Sequence, residues 1–130
     1  MENNEVENSV ITLVARKKMA LARKGDITLP CIAGIALGIG GELNGKTKIP
    51  LAENITLFNE IIRKPYTVCS KISETCYRYR IDLGEKELAG EIINEMALYD
   101  TEGDLVAIRT FAGKPKDGNM EMGFEIDDIF

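Results

Sequence analysis

Apolar positions follow a helical period early in the chain and strict alternation later. In "SVITLVARKKMALARKG", Ser9 suits an N-cap, Val10, Val14 and Leu21 fall on one helical stripe, and Gly25 suits the C-terminal stop. Residues 1–8, polar and acidic, read as a mobile tail. "ITLPCIAGIALGIGG" is apolar and punctuated by glycine, which predicts a short buried strand over 32–37 running into a loop over 38–50. In "LAENITLFNEIIRKP", Leu51, Ile55, Phe58 and Ile62 recur at i, i+4, i+7 and i+11, predicting a second helix that Pro65 ends.

After Pro65 the period becomes two. Tyr77, Tyr79, Ile81 and Leu83 alternate with Arg78, Arg80 and Asp82, marking a half-buried strand with "TVCSKI" as its partner. "INEMALYD" and "LVAIRTF" flank "TEGD", a hairpin with glycine in its loop. Met120, Met122, Phe124 and Ile126 alternate with polar neighbours or glycine in a last strand, after the turn-rich "AGKPKDGN". The expected fold class is α+β: two helices from the N-terminal half packed on an antiparallel sheet of about four to six strands from the C-terminal half, with residues 9–130 as one domain.

Composition narrows the chemistry. Hydrophobic residues make up 45% and charged residues 28%, ordinary for a globular domain. No apolar run reaches the roughly 20 residues of a membrane span, and the acidic start lacks the basic-then-apolar order of a signal peptide. The expectation is a protein made in the cytosol without its own export signal or membrane partner. A net charge of −5 opposes nucleic-acid binding, and the basic run "ARKKMALARKG" reads as a solvated helix face. Histidine is absent, which removes His-based triads, Cys–His pairs and most zinc or iron sites. Cys31, Cys69 and Cys76 are expected to be reduced and mostly buried, a Cys69–Cys76 link being the weighed alternative.

Two motifs invite chemistry. "GGELNGKT", Gly40 to Thr47, fits the phosphate-loop pattern, but such a loop must open a helix, and Pro50 would then sit inside it at a cost of about 3 kcal/mol. A surface loop with an Asn44-Gly45 turn is the simpler reading, so no nucleotide cofactor is expected. Glu91, Glu95, Asp100, Glu102, Asp104, Glu125, Asp127 and Asp128 supply carboxylates, yet their spacing converges no pair, and Ser73 and Thr75 have no base nearby. The acids over 100–104 read as a solvated hairpin end, and Asp127-Asp128 lacks a calcium-loop pattern. No catalytic, cofactor-binding or metal residue is assigned. Glu95 is singled out because it lies within an apolar strand. It must face solvent or meet a buried partner such as Arg63, Arg78 or Arg80, and a structural ion pair is expected.

The segment "INEMALYDTEGDLVAIRTF" resembles the hallmark of the phage tail-collar fibre family, "I-R-E-x-G-L-[FY]-D-x-x-G-[DN]-L-[IV]-A". The matching positions are Ile93, Glu95, Leu98, Tyr99, Asp100, Gly103, Asp104, Leu105, Val106 and Ala107. "IAGIALGIGG" is similar to the family's glycine stretch through Ile32, Ile35, Gly38 and Gly40. "LFNEIIRK" is similar to its "L-x-x-E-x-x-R" helix through Leu57, Glu60 and Arg63. Asn94, Ala97 and Ile39 depart from the common arginine, glycine and aspartate. The resemblance spans about residues 10–126. Family members usually continue into a fibre shaft, so a short paralogue or a separately made attachment domain is expected.

The resemblance implies a non-enzymatic structural protein of a phage or prophage tail, or of a phage-like bacteriocin. It would attach a tail fibre to the baseplate, with tail-fibre or baseplate proteins as partners, a trimeric homo-oligomer, and assembly into the virion or tail particle. The loop over 38–50 and the acidic tail are the places where partner contacts are expected. A small-molecule-binding or regulatory α+β module is the alternative, and a nucleotide enzyme using Gly40 to Thr47 the remote one.

Overall fold

The computed structural model describes residues 8–130; apart from Asn8, the expected mobile tail lies outside the described residues. Ten strands and one helix follow in the order β1 (Ser9–Ile11), α1 (Leu13–Lys24), β2 (Ile32–Gly38), β3 (Glu42–Leu43), β4 (Lys46–Thr47), β5 (Glu60–Pro65), β6 (Val68–Ser73), β7 (Cys76–Leu83), β8 (Ile92–Asp100), β9 (Leu105–Pro115) and β10 (Met122–Ile129). They form a five-stranded sheet in the order β1-β9-β8-β2-β5, a three-stranded sheet β10-β7-β6 and a small β3-β4 hairpin, and every pairing is antiparallel.

This corrects the α+β expectation. The chain is mostly β, strands begin in its N-terminal half, and only one of the two expected helices exists. That helix starts three residues later than Ser9 suggests: Ser9 lies in β1, and Thr12 caps α1, accepting the Ala15 N–H at 3.1 Å while donating to the Leu105 carbonyl at 2.7 Å. Gly25 ends α1 with φ at 97°, donating to the Leu21 and Ala22 carbonyls. The second helix is absent. Residues 51–59 are irregular and residues 60–65 form β5 against β2, with Leu51, Ile55 and Phe58 left exposed.

The central strand β8 is buried on both faces from Ile93 to Leu98, whereas β7 and β10 each turn one face into the space between the two larger sheets. Ile35, Leu37, Ile81, Leu83, Ile93, Leu98, Phe124 and Ile126 fill it. The opposite face of the large sheet is unlike the first. Its aligned rows run Gly34↔Tyr99, Ala36↔Ala97↔Ile108 and Gly38↔Glu95↔Thr110. Small side chains there leave room for the irregular 48–59 segment to lie directly on the strands, with Leu57 buried against Ala36 and Ala97.

The loop expected over 38–50 contains the β3-β4 hairpin, whose turn places Asn44 at φ 54° and Gly45 at φ 78°. That is the primed turn favoured in two-residue hairpins. No helix springs from Gly45 to Thr47, so the local frame of a phosphate loop is missing there. The turn-rich stretch after Phe111 is partly strand, since β9 runs to Pro115. All three cysteines are free thiols, as expected, and Cys76 is buried, but Cys31 and Cys69 are exposed rather than buried.

Candidate functional site

Glu95 organises the outer face of the large sheet. Past the register shift between Ile93 and Glu95, the alternation of β8 aims Glu95 at the 48–59 segment rather than into the inter-sheet core, and it is fully buried. No arginine meets it. Its Oε2 accepts the backbone N–H groups of Gly40 at 2.9 Å and Asn59 at 2.8 Å, and its Oε1 accepts that of Phe58 at 2.8 Å. Three amide dipoles aimed at one buried carboxylate make an internal anion nest, which replaces the lost hydration of the charge.

The neighbouring glycines follow from this geometry. A Cβ at Gly38 would fall on the Glu95 carboxylate, and one at Gly40 would stand 2.8 Å from the Asn59 nitrogen. Asn94, beside Glu95, adds a fourth tie by accepting the Gly41 N–H at 2.7 Å on its side-chain oxygen.

The three arginines proposed as partners are engaged elsewhere. Arg63 makes a two-pronged contact with Glu60 at 2.8 and 2.9 Å and donates to the Gly103 carbonyl at 2.8 Å. Its guanidinium also lies 4.7 Å over the Tyr99 ring. Arg78 pairs with Asp127 at 2.7 Å, and Arg80 pairs with Asp82 at 2.8 Å and Glu125 at 3.2 Å. The expected ion pair of Glu95 is therefore replaced by backbone amides.

Among the other carboxylates, Glu95 and Asp100 do not converge, but Asp100, Glu102 and Asp104 do. Oxygens of the three lie within 4.8 Å of one another. The β8–β9 turn gathers them: Asp100 Oδ1 accepts the N–H groups of Glu102 at 3.0 Å and Asp104 at 3.1 Å, and Gly103 takes φ 89°. Such a donor set has the chemistry of a hard-cation site. Lys18 of α1 takes the cation's place instead, its Nζ standing 2.7, 2.7 and 2.8 Å from the three acids. Burial works to lower the Lys18 pKa, but the hydrogen bonds it donates to the three carboxylates outweigh this and hold the ammonium above the ordinary lysine range.

Lys18 thus escapes the solvated-face reading of the basic run, and Asp100 is buried rather than solvated. Nothing in the spacing of residues 17 and 18 separates the two lysines; only the docking of α1 beside the β8–β9 turn does.

Lys46 lies on β4, where neither Nζ nor backbone meets a cradle of amides. Ser73 and Thr75 flank the β6–β7 turn, where the Thr75 N–H reaches the Ser73 hydroxyl at 3.3 Å. Asp127 serves Arg78, whereas Asp128 lies on the inward face of β10. No helix among the described residues is long and apolar enough to cross a membrane.

Sequence reasoning missed the surface that the Glu95 nest braces. Leu43, Ile49, Leu51, Ile55 and Phe58 all stand exposed on the stretch 43–58, Ile55 at 74%. The regular helical spacing of the last three concealed them as a core face. No family model, curated protein or solved structure matches the chain.

Proposed function

We propose that the chain is a non-enzymatic structural protein of a phage or prophage tail, or of a phage-like bacteriocin, and joins a tail fibre to the baseplate through protein–protein contacts. The observation carrying this reading is the surface over 43–58: exposed apolar side chains on an irregular segment held at both ends by the Glu95 carboxylate. Exposed apolar groups on a braced segment suit docking, because little ordering entropy remains to be lost when a partner arrives.

The residues of the family resemblance support the same reading. Gly38, Gly40 and Glu95 form one nest, and Arg63, Tyr99 and Gly103 form one contact set. They act as framework, not as reactants.

Tagged protein in the producing bacterium tests the proposal. After particle induction it should sediment with purified tail particles, and Ile55→Asp with Phe58→Asp should release it without unfolding it. Particles that lack the protein overturn the proposal. Equal, negligible ATP and GTP binding by the wild type and Lys46→Ala is expected alongside, and saturable binding lost in the variant would favour a nucleotide enzyme instead.

A further inference from the structure

A small apolar cavity of about 90 Å³ lies between α1, the segment leading into β2, and the end of β10. Ala15, Met19, Leu29, Ile32 and Val106 supply its walls, and Ile129 and Phe130, both exposed, stand at its rim. An apolar cavity of roughly 150 Å³ accepts a benzene ring, so this one suits an unbranched chain rather than an aromatic group.

Two carboxylates and one cation, Lys18, line the same cavity, and the carboxylates differ in one respect. Asp100 is neutralised by Lys18 at 2.7 Å. The Asp128 carboxylate makes no hydrogen bond and no ion pair with any described residue, although its backbone pairs with Tyr77 in the ladder to β7. Its position is anomalous for the strand. Phe124 and Ile126 point into the core, and two residues on the same alternation places Asp128, opposite Tyr77, where an apolar side chain would be expected. Glu125 and Asp127, on the outward face, both have arginine partners. A partly buried carboxylate without a counter-charge, at an aliphatic cavity, lacks a cation on a slender apolar stem.

We propose that this cavity is a socket for a lysine side chain of a protein partner, the methylene stem lying against Met19 and Ile32 and the ammonium meeting Asp128. The identity of the lysine's bearer rests on the docking role above, whereas the chemistry of the socket does not. The test therefore uses capped amino acids and no tail component, so that either idea can fail alone.

Nα-acetyl-lysine N-methylamide, the norleucine and arginine counterparts, and n-butylammonium are titrated into the full chain, with methyl resonances of Ala15 and Met19 as the readout. The lysine derivative should shift them saturably at millimolar concentration and bind about tenfold tighter than norleucine or arginine. Asp128→Asn, shown to be folded by its melting curve, should erase that preference. The wild-type comparison stands without the variant. Norleucine binding as tightly as lysine, n-butylammonium binding where capped lysine does not, an unchanged preference in Asp128→Asn, or no response to about 50 mM would each overturn the socket.

Discussion

The Oε2 atom of Glu95 accepts the backbone N–H of Asn59 at 2.8 Å, joining positions 36 residues apart, and the same oxygen holds Gly40. One side chain on a central strand therefore fixes both ends of the irregular stretch that carries the exposed apolar surface. Strand β8 is rigid because it is paired on both sides, by β9 and by β2. The loop inherits that rigidity through three amides rather than through a core of its own.

Glu95→Gln should be destabilising even though it is nearly isosteric. Glutamine keeps one acceptor oxygen but turns an NH₂ toward at least one of the three amides, so a buried N–H loses its partner and meets another donor. The expected loss is about 2–3 kcal/mol, the usual cost of removing a charged acceptor from buried donors. Urea denaturation followed by circular dichroism measures it. Wild-type stability in the variant would remove the nest from the account of the fold.

The nest also explains where reading the chain alone succeeds and where it stops. Alternation located β7 and β10, because each sends one face into the inter-sheet core. The glycine of "TEGD" between two apolar runs located the β8–β9 hairpin, and an apolar, glycine-punctuated run located β2. Leu51, Ile55 and Phe58 misled because their spacing satisfies a helix, while the N–H groups of Phe58 and Asn59 are taken by a carboxylate on β8. Asn54 contributes too. Its side-chain oxygen accepts the Leu51 N–H at 2.8 Å and its own N–H reaches the Leu51 carbonyl at 3.0 Å, closing a turn there. Glu95 itself was legible as a charge needing a partner. Its partners were not, since backbone amides carry no mark in a sequence.

Gly34→Ala should be far more disruptive than Gly84→Ala. A Cβ at position 34 would lie 2.6 Å from the Tyr99 hydroxyl oxygen and 2.8 Å from the Pro65 Cα, and would collide with the Lys64 carbonyl. Two of these are backbone atoms of β5, which cannot move without breaking its pairing to β2. A loss of about 3 kcal/mol is expected, the upper range for overpacking. At Gly84 the nearest atom would be Glu87 Oε1 at 3.8 Å, so alanine should be neutral or slightly stabilising. Comparable denaturation midpoints for the two variants would contradict the close approach of β5 to β2.

Lys18→Met should cost stability and create a calcium response that the wild type lacks. Without the ammonium, three carboxylates whose oxygens lie within 4.8 Å repel one another. The loss should be about 2 kcal/mol, less than for a fully buried pair because Glu102 and Asp104 are 62% and 49% exposed. Millimolar Ca²⁺ should raise the melting temperature of the variant, and chelation should reverse the gain. In the wild type the contribution of Lys18 has a definite pH range. A lysine pKa raised by folding stabilises fully below the ordinary value of about 10.4 and is lost only as the pH climbs through the higher folded value. Melting curves between pH 6 and 9 should therefore show no loss traceable to Lys18.

Asp128 behaves in the opposite sense to a paired acid. Burial raises its pKa, because the charged form loses hydration and gains no partner. A carboxyl that holds its proton more tightly when folded favours the fold at low pH, and that advantage disappears as the pH rises through the folded value. At neutral pH the ionised group thus opposes folding. Asp128→Asn, which keeps the shape and removes the charge, should be slightly more stable than wild type at pH 7, on the order of 0.5 kcal/mol for a partly exposed site. The difference should shrink steadily as the pH falls through the carboxylate range, where Asp128 is protonated in both folded and unfolded chains. Paired thermal melts at pH 7 and at about pH 3.5 measure this. A variant less stable than wild type at pH 7, or a gain that grows with acid, would mean that Asp128 has a cationic partner within the folded chain, and the unneutralised charge in the α1–β10 cavity would have to be abandoned.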